Sequence, residues 1–453
     1  MLAKLYIRQS FFRLFILVLS GFLISACQPT KPLPNGMNVT DFENFLNSSS
    51  PSAIEPPYIE QVPYPGKVAV NATSRRQDIE GTEVCRNVNV SSTVSVLEGV
   101  DAPEGYGLDD RYNSISKQFK QLSEFCLAGS VISCNSIQAS ALKWAKESKL
   151  NKPRSTDGGK WNDTLTINMR LLSPMLSALG VAEEFTPLSK SDREILFPWL
   201  VRIADNFEHG MRADGAYKGG RDGTTARRAA HNHAVQSSNA QMSLGSYLGD
   251  SRRFNVGIEQ WFITLKSMRG DGSLPIETRR GARALFYQGR TITGLASLAE
   301  KAKVQGVDLW NVAPNQTQTI HMAVKFLIDA VENPDLVIKY AATNKAPGPS
   351  KNYKIQDVGS GSTFGWIAPY LARFPHHPNS ERLLKRIQTP KEAIKNYLTD
   401  SLDRQIKSNG TDSGDWNFVN GKCFYSNLSY RSEAKLQACK TPEYAELIGA
   451  QCN

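Results

Sequence analysis

Long apolar runs are scarce in this chain of 453 residues. Only the first thirty could cross a bilayer, which excludes a multi-spanning membrane protein. Acid is in deficit. Lys and Arg total 53 and Asp and Glu 43, for a net charge of +10 and a pI near 9.1. That excess favours an anionic partner without naming one. No CxxC pairs with another CxxC or with spaced histidines, so neither a zinc site nor any other cofactor is expected. Nucleic acid is not an expected partner either, because no aromatic-basic recognition module occurs. The apolar class is 40% of the chain, enough for a core, and full-length disorder is excluded. By length alone two or three domains would fit, although large solenoids and toroids break that rule.

The N-terminus indicates a compartment. Lys4, Arg8 and Arg13 form a positive region with no acid, and Phe11 to Ile24 is a mostly apolar segment. This is signal-peptide patterning. It ends Leu23-Ile24-Ser25-Ala26-Cys27, which looks like a bacterial lipoprotein cleavage box. Cleavage before Cys27 would remove three of the ten net positive charges, and the Cys27 thiol would carry lipid. Gln28, rather than Asp, follows the cysteine. The expectation is a lipid anchor on the periplasmic side of the outer membrane, touching the membrane through that lipid alone. Six cysteines remain in an oxidising compartment, so disulfides are expected. Cys126 with Cys134 is the first local candidate pair and Cys423 with Cys439 the next.

Residues 27–79 are expected to be a tether, since they are rich in Pro, Ser and Asn up to about Pro65. Alternating Val84, Val88, Val90, Val94 and Val96 suit a short extended segment. Helical patterning then holds for most of 300 residues, including 113–126, 136–148, 162–180, 190–208, 227–247, 252–268, 275–302 and 316–331. Turn residues such as Gly249-Asp250 and Asp271-Gly272 separate them. Helices of this length on short turns pair as antiparallel hairpins. The expected fold is mostly α, an incomplete α/α toroid of about five to seven hairpins over residues 80–400, and the protein is expected to be a monomer. Residues 401–453 read as a disulfide-held appendage.

Two segments carry chemistry. The first runs through His231, Asn232, His233, Gln236, Ser237, Ser238 and Asn239, and neither Lys nor Glu occurs between Arg228 and Asp250. An uncharged hydrogen-bonding helix face suits a polar groove. His231 and His233 lie on different faces and make a poor metal pair. In the second, Asp271-Gly272-Ser273-Leu274-Pro275 is a turn with Pro at a helix start. Arg280 and Tyr287 follow, seven apart. On one continuous helix they would share a face, roughly 10 Å apart along the axis. Spacing alone is equally met by an Arg280–Glu277 surface pair and a half-buried tyrosine.

Together these segments resemble the alginate lyases of polysaccharide lyase family 5. The residues that carry the likeness are Asn232-His233, Gly272-Ser273-Leu274-Pro275-Ile276-Glu277, Arg280 and Arg283-Ala284-Leu285-Phe286-Tyr287. Gly306-Val307-Asp308-Leu309 and Phe364-Gly365-Trp366-Ile367-Ala368-Pro369-Tyr370 add to it. The family has Ser-Tyr-Trp after its histidine, whereas this chain has Ala234-Val235-Gln236, and His231 stands at the family's first Asn. A related uronate polymer is therefore open as substrate.

The resemblance implies β-elimination. A lyase removes the C5 proton of a 4-linked uronate, α to a carboxylate, and expels the C4 oxygen. That carboxylate must be neutralised for a carbanion to form beside it. Asn232, His233 and Arg280 are the implied clamp, and Tyr287 the implied proton-transfer residue. A free phenol keeps its proton at neutral pH, and a cation beside it favours the phenolate. Tyr287 could serve as both base and acid on one side of the ring; for the opposite stereochemistry His233 becomes the base. Arg279, Arg283 and Gln236 are candidate substrate contacts. Trp161, Tyr217, Trp366 and Tyr370 are candidate platforms for sugar rings. Two rival readings remain: a glycoside hydrolase on a similar toroid, which needs two carboxylates from the set Asp205, Glu208, Asp214, Asp222 and Glu277, and a non-catalytic polyuronate-binding lipoprotein of an export complex.

Overall fold

The structure is a computed structural model that describes residues 54–80, 110–150, 171–213, 230, 232–315, 317–342, 352–358, 363–388 and 421–425. Among these no strand occurs. The expected signal peptide, the lipidation site Cys27, the valine-rich segment around 84–96 and most of the 401–453 segment lie outside them.

Three helices form the inside of the fold. They are α4 (Ser173–Phe185), α6 (Asn232–Leu248) and α9 (Ala284–Val304). Every residue of α6 from Asn232 to Tyr247 is buried, as is α4 from Ser173 to Ala182. A helix that hides all its faces must be wrapped by others. α6 packs on both α4 and α9. Outside lie α2 (Asp110–Leu127), α3 (Val131–Lys146), α5 (Lys190–Ala213), α7 (Ser251–Lys266) and α10 (Ile320–Glu332). α7 buries one stripe, with Phe254, Ile258, Trp261, Phe262 and Leu265, and α10 does the same with Ala323, Val324, Leu327 and Val331. Each outer helix packs against its sequence neighbour or the inner helix beside it. This is the layered arrangement of helical hairpins expected from the sequence.

Local chemistry sets the turns. Ser130 caps α3, accepting from the Ser133 amide, and Asp250 caps α7 through the Arg253 amide at 3.1 Å. Cys126 and Cys134 form a disulfide across the α2–α3 turn. Between the inner helices the contact is polar. Asn239 donates to the carbonyls of Val235 (3.0 Å) and Gly294 (2.9 Å). The buried Lys301 ammonium donates to Asn239 (3.0 Å) and to Ser173 (2.8 Å), tying α9 to α6 and α4. A Cβ on Gly294 would stand 2.5 Å from Val235 Cγ1, so only glycine lets α6 and α9 approach this closely.

Two expectations are corrected here. Residues 54–80 are not a tether. Val62, Val68, Ala69, Ala72 and Ile79 join the core, and α1 (Ala72–Ile79) belongs to this segment. Gln305 accepts from the Tyr64 amide (2.9 Å) and donates to the Tyr64 and Lys67 carbonyls. These bonds fasten the segment across the far end of α9. Late in the chain α13 (Gly421–Tyr425) is likewise part of the body. Cys423, Phe424 and Tyr425 are buried, and Arg75 donates to the Cys423 carbonyl at 2.9 Å. Cys423 is disulfide-bonded, and its expected partner Cys439 lies outside the described residues.

Trp366 and Tyr370, expected as sugar platforms, are fully buried. Tyr370, on α12 (Ile367–Arg373), stacks edge-on with Trp310 and Trp366, and its hydroxyl lies 2.7 Å from His321 Nδ1. A sugar cannot reach either ring, and their job is packing. His321 and His377 stack face to face, with ring centroids 4.3 Å apart. Burial, and then the neighbouring His377, push the His321 imidazole from 6.5 down to about 4. The unfolded chain therefore binds a proton that the folded one refuses between those values. Stability is expected to fall as pH drops from about 6.5 to about 4, by roughly 3 kcal/mol from this group. Urea unfolding of wild type and His321→Asn across that range measures it, and equal pH slopes for the two proteins would contradict it.

Candidate active site

The two sequence segments meet at one end of the inner pair. α6 and α9 run side by side in the same sense, since Val235 meets Gly294 and Asn239 reaches on to Lys301. Their N-termini therefore lie at the same end, where the 269–283 turn also sits.

That turn is built rigidly. Gly272 has φ +91°, and a Cβ there would fall 2.1 Å from the Met322 carbonyl oxygen of α10. Arg269 donates to Ser273 (3.0 Å) and Thr278 (2.8 Å), with its guanidinium 4.0 Å above the Tyr340 ring. The Tyr340 hydroxyl, on α11 (Asp335–Ala341), donates to Asp271 at 2.6 Å. Burial alone would raise the Asp271 carboxyl. Hydrogen bonds from Ser273 and Tyr340 and the nearby Lys339 outweigh it and hold the group below its ordinary value. Gln288 reaches back from α9 to accept from the Leu274 amide (3.0 Å) and donate to the Gly272 carbonyl (3.2 Å).

The expected continuous helix over 275–302 is broken. α8 (Pro275–Thr278) ends at Arg279, a 3-10 turn spans Gly281–Arg283, and α9 begins at Ala284. Gly281 takes φ +58° at the break. The N-cap residue Arg283 makes no side-chain capping bond to α9, and the helix's first amides are met from elsewhere. The Gln356 side chain accepts from the Leu285 amide (3.3 Å), and the Asp357 carbonyl accepts from the Phe286 amide (3.0 Å). The break has a chemical result. Arg280 is not two helical turns away from Tyr287; its guanidinium carbon lies 3.9 Å from the centre of the Tyr287 ring. Both side chains are half-buried.

On α6, Asn232 and His233 are buried, at 1% and 7% exposure. Glu277 is fully buried and does not form the Arg280 pair that spacing allowed. Its carboxylate accepts from the Asn232 backbone amide at 2.6 Å, and the Asn232 side-chain nitrogen lies 3.2 Å from each of its oxygens. Asn232 in turn accepts from Gln236 at 3.4 Å. Glu277 thus caps α6 and orients its first side chain. It entered the sequence reading as a candidate hydrolase acid, and its position at the start of α6 was missed. The one available signal was that α6 carries no capping residue of its own before Asn232.

The polar face of α6 is not a groove. Gln236, Ser237, Ser238 and Asn239 are each 1% exposed or less, bonded within the helix layer. Arg279 is exposed, and the Arg283 guanidinium lies 5.8 Å from the Phe286 ring. Trp161 and Tyr217 lie outside the described residues, as do Asp214 and Asp222. Asp205 pairs with Arg253 at 2.6 Å, so Asp205 and Glu277 are both engaged structurally. No carboxylate pair of the hydrolase kind forms among the described residues.

The chain is similar to known proteins over much of its length. Residues 140–337 match the family model described as alginate lyase. An alginate lyase of Pseudomonas fluorescens is 30% identical over 134 residues, covering 28% of this chain and 31% of the relative. A polysaccharide lyase of Stenotrophomonas maltophilia is 24% identical over 203 residues, covering 44% and 53%. The chain thus spans from about a third to half of the length of these relatives. Among solved structures, alginate lyase A1-III from Sphingomonas species A1 superposes with a TM-score of 0.55 at 21% identity, covering 71% of this chain and 92% of that one. A histidine-to-alanine variant of A1-III complexed with tetrasaccharide gives 0.54 at 22% identity, covering 70% and 90%. The fold is of the α/α toroid type, and the stretch similar to the alginate lyase family model, residues 140–337, holds α6, the 269–283 turn and α9.

Proposed function

We propose that the protein is a polysaccharide lyase that cleaves alginate, or a related 4-linked polyuronate, by β-elimination. One observation carries the reading: the break at Gly281 sets a permanent cation, Arg280, three residues past the Glu277 that binds Asn232 at the start of α6, against the ring of Tyr287. In this scheme Arg280 and the Asn232 amide draw charge from the uronate carboxylate, so that the C5 proton becomes acidic. Tyr287 is the group that takes that proton. The C–O bond at C4 breaks, a C4–C5 double bond forms, and the leaving oxygen takes a proton from Tyr287 or His233. Arg279 and Arg283 would meet flanking carboxylates. A lipid anchor at Cys27 would place the enzyme at the periplasmic face of the outer membrane.

Purified protein offered a panel of polyuronates should release products with the ultraviolet absorbance of an unsaturated uronate end. New reducing ends without that absorbance would indicate hydrolysis, and binding without product would indicate a non-catalytic protein. Either result would overturn the proposal.

A further inference from the structure

We infer that Glu277 is a positioning residue that acts through Asn232: its carboxylate decides which end of the Asn232 amide faces the substrate, and so commits the site to a carboxylate-bearing sugar. This rests on the lyase reading above.

The argument is one of hydrogen-bond polarity. Glu277 is fully buried, and its carboxylate contacts are the backbone and side-chain nitrogens of Asn232. A carboxylate only accepts, and a backbone amide only donates. The nitrogen end of the Asn232 side chain must therefore face Glu277. Its two 3.2 Å contacts reach the two oxygens of one carboxylate, which a single hydrogen can bridge. The second hydrogen stays available to a ligand. The oxygen end is then forced toward Gln236, which must offer its own nitrogen, at 3.4 Å. The last atom of this chain, Gln236 Oε1, is buried without a hydrogen-bond partner. A buried orphan acceptor is costly, and the alternative order would reverse both amides. The reversal is forbidden because it would turn the Asn232 oxygen onto the Glu277 carboxylate.

The consequence concerns substrate charge. In the present order Asn232 offers a donor, which an ionised uronate needs. In the reversed order it would offer an oxygen and repel the same group.

Two variants test this on polymannuronate and on its methyl ester. Glu277→Gln keeps the shape and lets the amide sit either way. Its kcat/KM on the free acid should fall by roughly 2- to 10-fold, mainly through KM, and its preference for acid over ester should narrow. Combining Glu277→Gln with Gln236→Glu swaps the two groups and enforces the reversed order. That protein should lose roughly 100-fold on the free acid and much less on the ester. Thermal midpoints establish that each is folded, and if the swap does not fold, the single variant decides. A folded Glu277→Gln with wild-type KM and an unchanged acid-to-ester preference would overturn the inference alone. A wild type inactive on every polyuronate would overturn the lyase reading, and this inference with it.

Discussion

Tyr287→Phe should reduce turnover by roughly 1,000-fold or more and leave polymer binding near the wild-type level. The two effects separate because the ring and its hydroxyl do different things. Arg280 lies against the ring face, and phenylalanine supplies an equivalent face. The guanidinium should therefore keep its place and its hold on a uronate carboxylate. Only the proton-carrying oxygen is removed. Single-turnover absorbance together with equilibrium binding of an oligouronate would measure both. A variant that retains a tenth of the wild-type rate would remove Tyr287 from the proton path.

Arg280→Ala should damage both quantities. Losing a charge-assisted hydrogen bond to a carboxylate costs about 1.5–3 kcal/mol, or roughly ten- to a hundredfold in binding. The rate should fall further, because charge at the carboxylate grows as the C5 proton leaves and because Tyr287 loses its cation. Arg280→Lys should recover little. Lysine brings the charge as a point, without the planar fork that can cover a ring and meet two oxygens at once. Full rescue by lysine would mean that charge alone matters and that the stacked geometry does not. Wild-type kcat/KM in Arg280→Ala would contradict the clamp outright.

Much of the fold could be read from the chain because its signals are local. Ser130, Asp250 and Gly249 mark helix ends through their own chemistry, and the apolar spacing of α7 and α10 reports which face is hidden. The site was legible in its membership and less so in its shape. Nothing between Pro275 and Tyr287 forbids a continuous helix. The break is supported by Gln356 and Asp357, some seventy residues later, and no local pattern contains that information. The uncharged face of α6 was a true signal with the wrong destination. Absence of Lys and Glu announced burial, but the partners that fill the space, the Gly294 carbonyl and Lys301, come from another helix. Trp366 and Tyr370 failed for a related reason. An aromatic cluster reads the same whether it awaits a sugar or packs beneath α10, and only burial distinguishes the two. The segment around Val62–Val70 was too short and too rich in proline to show periodicity, although its valines enter the core.

The meeting of the two chain ends bears on biosynthesis. Arg75 holds the Cys423 carbonyl, and the Tyr425 hydroxyl lies 3.4 Å from the Ala69 carbonyl. Nearly 350 residues of nascent polypeptide must therefore be made before this clasp can close, whereas the helical hairpins between them need only their neighbours. A chain truncated shortly before residue 421 would leave most hairpins assembled around an open seam, with the early segment lacking its final cover. Closure of this clasp, rather than collapse of the middle, becomes the last event in folding.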